Sequence, residues 1–136
     1  MPGAVEPDPG TNNITAAAGR HAVQPGVKAL IAVQLYGQPA DMPALTEAAK
    51  DLGIDVIEDA AQAHGARWAG HPIGAHSKAV CWSFYPGQNL GALGDGGAVT
   101  TSDPDVADRI RLLRNYGSRR TYENEIIGYT SRLDPV

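Results

Sequence analysis

The segment Lys28-Ala29-Leu30-Ile31-Ala32-Val33-Gln34-Leu35 is a short, nearly continuous apolar run that Tyr36-Gly37-Gln38-Pro39 terminates, and together with the helical pattern beyond it this run restricts the folds open to the chain. A run of this length with little polar alternation suits a strand buried in a parallel sheet. Asp41 then stands as an N-cap, Leu45, Ala48, Ala49 and Leu52 recur at helical spacing, and Gly53 ends the helix. Residues 54–59 form the next strand, so strand, helix and strand make the crossover unit that parallel pairing demands. Residues 79–84 and 97–101 supply two further strands. Ser102-Asp103-Pro104-Asp105 opens a second helix with an apolar stripe of Val106, Ile110 and Leu113, an Asp105–Arg109 surface pair, and an end near Asn115-Tyr116-Gly117. Residues 1–26 are expected to be irregular, with at most a short helix within 11–18. The expected fold class is α/β, three layers α/β/α around a mostly parallel sheet.

The chain has 136 residues, 43% hydrophobic and 19% charged, which fits one globular domain at most. A formal charge of -4 offers no electrostatic footprint for nucleic acid or an acidic membrane. Cys81 is the single cysteine, so no internal disulfide forms, and a cytoplasmic location is expected. The start lacks the basic and apolar regions of a signal peptide, and no run approaches transmembrane length. His64, His71 and His76 match no metal-ligand spacing, so no metal is expected.

The chemistry concentrates in two places. Asp59 ends a strand, and in open α/β sheets ligands gather beyond the carboxyl ends of strands. Ser83 ends another and leads into a glycine-rich loop with Gln88 inside it. Gly91, Gly94, Gly96 and Gly97 match neither phosphate-loop spacing, and their ordinary role is to permit a tight return between strands. By themselves these residues also admit plainer roles: Asp59 capping a following helix, Gln62 exposed, and Ser83 bonded to backbone.

Two segments, Glu58-Asp59-Ala60-Ala61-Gln62-Ala63-His64-Gly65 and Trp82-Ser83-Phe84-Tyr85-Pro86-Gly87-Gln88-Asn89-Leu90-Gly91, resemble the DegT/DnrJ/StrS family of pyridoxal phosphate (PLP) dependent nucleotide-sugar aminotransferases of fold type I. The resemblance runs from about Thr11 to Leu133 and implies a central slice, residues 1–136, of the large PLP-binding domain. The N-terminal part of that domain and the C-terminal small domain are expected to lie outside this chain. The resemblance gives Asp59 the cofactor ring nitrogen, whose proton a carboxylate keeps in place, and puts Gln62 beside the ring hydroxyl. It gives Ser83 the phosphate, and gives Thr130, where the family usually shows asparagine, the phosphate of a neighbouring subunit in a homodimer. Gln88 occupies the position of the lysine whose amine joins the cofactor aldehyde, and an amide nitrogen, its lone pair delocalised, does not replace that amine.

The implied function is transfer of an amino group from an amino-acid donor to a nucleotide-linked keto-sugar, with PLP held non-covalently at most. Two alternatives stand beside it. One is a non-catalytic cofactor- or sugar-binding relative or truncated inactive fragment, and the other is a flavodoxin-like nucleotide-binding domain.

Overall fold

The computed structural model describes residues 2–74 and 76–134. A four-stranded sheet with order β1-β2-β5-β6 organises it, formed by β1 (Ala29–Val33), β2 (Asp55–Asp59), β5 (Ala79–Ser83) and β6 (Gly97–Thr100). Two short hairpins, β3 (Arg67–Trp68) with β4 (His71–Pro72) and β7 (Ser118–Arg120) with β8 (Glu123–Asn124), are not expected from the apolar pattern. The helices are α1 (Ala16–Ala22), α2 (Met42–Leu52) and α3 (Pro104–Leu113). β1, β2 and β5 are parallel and β6 returns antiparallel to β5, giving a mixed, mostly parallel α/β sheet.

Each helix begins where its sequence supplies a cap. Thr15 Oγ1 accepts from the Ala18 N–H, Asp41 Oδ1 from Ala44, and Asp103 Oδ1 from Asp105 and Val106. Gly53 closes α2 at φ 66°, a left-handed geometry that glycine adopts without steric cost. α1 lies later in the chain than expected, its cap supplied by Thr15. α3 ends at Leu113, and the Asp105–Arg109 pair does not appear among the described ion pairs; instead Asp108 meets Arg119, tying α3 to β7. Arg119 holds the Asp108 carboxyl below its usual range, chiefly through that hydrogen bond.

The main core is one-sided. Ala32, Val56, Met42, Leu45 and Ala49 bury together, with Leu30, Ile54 and Ile14 against them, as α2 packs onto β1 and β2. A second cluster of Ala60, Ala63 and Val80, joined by Ala66, Ile73 and Trp82, closes the segment after β2 onto β5. The other face differs from expectation at β1. That strand lies at the end of the sheet, and Ile31 is 61% and Val33 43% exposed, so its apolar run reflects one buried face and one open one.

Gln34 and Glu58, both wholly buried, face each other where β1 and β2 end. Gln34 Nε2 donates to Glu58 Oε2 (2.8 Å), Gln34 Oε1 accepts from the Ala40 N–H (2.6 Å), and Ser77 Oγ donates to Glu58 Oε1 (2.7 Å). Glu58→Ala strands the buried Gln34 Nε2 donor and takes an acceptor from the half-buried Ser77, at about 1–3 kcal/mol each. It is expected to lower the urea-unfolding free energy by about 3 kcal/mol, with Glu58→Gln, which retains an acceptor, losing less. A change in Glu58→Ala below about 0.5 kcal/mol contradicts the role given to this network.

Candidate functional site at the carboxyl edge of the sheet

Register places Asp59 and Ser83 on the same side. Asp59 pairs with Cys81, and side chains two apart on a strand share a face, so Ser83 at the end of β5 faces as Asp59 does at the end of β2. Desolvation and then the nearby Asp59 carboxylate push the Cys81 thiol above its ordinary range, which disfavours its thiolate form. Asp59 Oδ1 accepts from the Ala61 N–H at 3.1 Å, so it caps the following turn. The helix expected after Asp59 is absent and a turn stands in its place, so the cap is of a turn, and it occupies one carboxylate oxygen only.

Gln62 is exposed, and its Oε1 accepts from the Tyr36 N–H at 3.0 Å. Tyr36 holds a left-handed backbone, φ 57°, unusual for a non-glycine residue, and this bond helps to retain it. The bond also orients the amide, leaving the Nε2 hydrogens as the free donors. Ser83 Oγ accepts from the Tyr85 N–H at 3.2 Å, which leaves its hydroxyl hydrogen free to donate to an anion.

Gln88 lies half-buried in the turn after β5, its N–H donating to the Tyr85 carbonyl (2.9 Å). The turn folds back so closely that a Cβ at Gly91 would come 2.5 Å from the Pro86 carbonyl oxygen, a position only glycine fills. His64 Nδ1 meets Asn89 Oδ1 at 2.8 Å, drawing this turn toward the segment after Asp59. Asp59, Gln62, Ser83 and Gln88 thus belong to the carboxyl ends of two neighbouring parallel strands and the loops that leave them. A recess of about 660 Å³ opens on the exposed side of β1, lined by Val5, Ile31, Val33 and Leu35 among others, and none of the four lines it.

Thr130 stands elsewhere. It bridges Asn115 beyond α3 and is exposed, while its neighbours bond back to that helix end, Tyr129 N–H to Leu113 and Ser131 N–H to Arg114. The chain then returns to the glycine-rich loop, where Asp134 Oδ2 accepts from the Asp95 N–H (2.7 Å) and Asp134 N–H donates to the Asp95 carbonyl (3.1 Å). Nothing in the spacing of the residues announces that clasp. Among the described residues no group of three or more His, Cys, Asp or Glu side chains is arranged to hold a metal ion, and no helix is long and apolar enough to cross a membrane.

This arrangement has close relatives. The dTDP-3-amino-3,4,6-trideoxy-alpha-D-glucose transaminase of Streptomyces venezuelae is 57% identical over 115 residues, covering 85% of this chain and 30% of the relative. The crystal structure of S. venezuelae DesV in complex with a ketimine intermediate superposes with a TM-score of 0.94 at 52% identity, covering 98% of this chain and 36% of that one. NtdA from Bacillus subtilis, with its cofactor PMP bound, superposes with a TM-score of 0.87 at 27% identity over 95% of this chain and 29% of that one. The chain therefore spans about a third of the length of these relatives. The model of the DegT/DnrJ/EryC1/StrS aminotransferase family matches residues 1–136, and with that match over a sheet edge of this construction, the chain belongs to this family.

Proposed function

We propose that the chain is part of the large domain of a PLP-binding, nucleotide-sugar aminotransferase-type protein, cytoplasmic and homodimeric, whose substrates are a nucleotide-linked keto-sugar and an amino-acid amine donor. The observation that carries this is the shared face of Asp59 and Ser83 at adjacent parallel strand ends, with Ser83 five residues before position 88. The transaminase name of the S. venezuelae relative and the PMP bound to NtdA support the substrate and cofactor classes.

The donor set suits the cofactor's polar groups. PLP, when bound, supplies an electron sink for moving an amino group. The carboxylate oxygen of Asp59 that Ala61 leaves free would accept from the ring nitrogen and keep its proton there. Gln62 would donate from Nε2 to the ring hydroxyl, its Oε1 being engaged by Tyr36. Ser83 would donate its hydroxyl hydrogen to the phosphate. Thr130 would reach the phosphate of the partner subunit, a role its exposed position permits.

Gln88 is the misfit and favours a second reading. An amide neither condenses with an aldehyde nor carries protons between substrate and cofactor. Cofactor is therefore held non-covalently at most, and a non-catalytic cofactor- or sugar-binding protein is the alternative that this residue supports. The two readings share the cradle and part at position 88.

Borohydride treatment of the chain with PLP is expected to leave no cofactor mass on the peptide containing Gln88. Gln88→Lys, in a chain extended to the length of its relatives, is expected to gain that mass; a lysine variant that retains no PLP contradicts the proposed site. In the same extended chain, Asp59→Asn is expected to weaken PLP binding about tenfold in a dialysis titration, because the amide no longer offers a charged acceptor to the ring nitrogen. Unchanged affinity removes Asp59 from the cradle.

A further inference from the structure

His64 is not one of the residues expected to touch cofactor, yet it has the most unusual surroundings near the site. Its ring sits 5.3 Å from Trp82 and 5.7 Å from Phe84, the two residues that flank Ser83 in sequence. Its Nε2 is buried with no hydrogen-bond partner, so its polar contact runs through Nδ1 to Asn89 Oδ1. The segment that bears it is anchored, since Ala60 and Ala63 on either side of Gln62 are buried against Val80. Asn89, by contrast, is exposed and lies in the turn of residues 86–91.

That turn has little else to hold it. Gln88 N–H bonds to Tyr85 within the same turn, and Ala92 N–H bonds to the Phe84 carbonyl at the base of the loop. Farther along, Phe84 N–H reaches Gly96 and Asp95 reaches Asp134. Among the described hydrogen bonds of residues 86–91, the one between Asn89 and His64 is the one that leaves the loop.

We propose that His64 and Asn89 form a latch that sets the position of residue 88 relative to the Asp59-Ala60-Ala61-Gln62 segment. His64 is a positioning residue: it acts through Asn89, whose peptide unit is contiguous with that of residue 88. The ring has two jobs that can be separated. Its faces and edges pack beside Trp82 and Phe84, and its Nδ1 holds Asn89. His64→Phe keeps an aromatic ring for the first job and removes the second, while Asn89→Ala removes the second from the other side.

The latch rests on the proposed cofactor site only for its purpose, so the test begins without cofactor. In amide hydrogen exchange of the unmodified chain, both variants are expected to speed exchange at the Gln88 and Ala92 amides about fivefold, with β2 and β5 amides unchanged. A general loss of protection across β2 and β5 in both variants, or no change at Gln88 and Ala92 in either, overturns the latch. In the extended Gln88→Lys chain, both variants are expected to slow borohydride-trapped retention of PLP on residue 88 about tenfold, since misplacing a reacting group by an ångström costs rate steeply. An unchanged rate there, with the amides accelerated, overturns the positioning role. Failure of Gln88→Lys itself to retain PLP counts against the cofactor site, and exchange at Gln88 and Ala92 then decides the latch alone.

Discussion

The buried bond between Gln34 and Glu58 joins the carboxyl ends of β1 and β2 and, through its other atoms, two further segments. Each residue ends or succeeds a parallel strand, each is wholly buried, and the remaining oxygens reach the entry to α2 through Ala40 and the approach to β5 through Ser77. An unpaired polar group in that position carries a heavy desolvation penalty, so the network is satisfied as a whole or damaged as a whole. Its place in sequence matters as much as its burial. Glu58 points into the protein and Asp59, the next residue, points to the opposite face, so what fixes the one residue also aims the other.

The crossover unit is legible because local and tertiary signals agree: the Asp41 cap, the buried Leu45, Ala48 and Ala49, and Gly53 have the expected places, and Leu52 alone of the apolar positions is exposed. β1 is less deeply set than its composition suggests. A continuous apolar run reports that both faces avoid polar residues, and it does not report whether a second layer covers both; Ile31 and Val33 are open where Ala32 is sealed. The hairpins 67–72 and 118–124 escape a pattern reading because two- and three-residue strands carry no measurable alternation.

The common sheet edge of Asp59, Gln62, Ser83 and Gln88 follows from parallel register, whereas the roles proposed for them rest on the resemblance of their segments. The supporting contacts are hidden. Gln34 sits inside an apolar run, although a lone amide among Ala, Val and Leu asks for a buried partner. His64 and Asn89 lie 25 positions apart, and Asp95 and Asp134 lie 39 apart. No spacing rule spans such intervals; only the folded backbone defines them.

The clasp of Asp134 on the glycine-rich loop joins residues far apart in sequence. β1, α2 and β2 are neighbours in sequence, whereas the far side of the loop bearing residue 88 is held by a carboxylate 39 residues downstream of Asp95. Closing so long an interval costs entropy before any contact repays it. During synthesis from the N-terminus Asp134 emerges after every strand of the four-stranded sheet, so its contact with Asp95 can form only once those strands have been made.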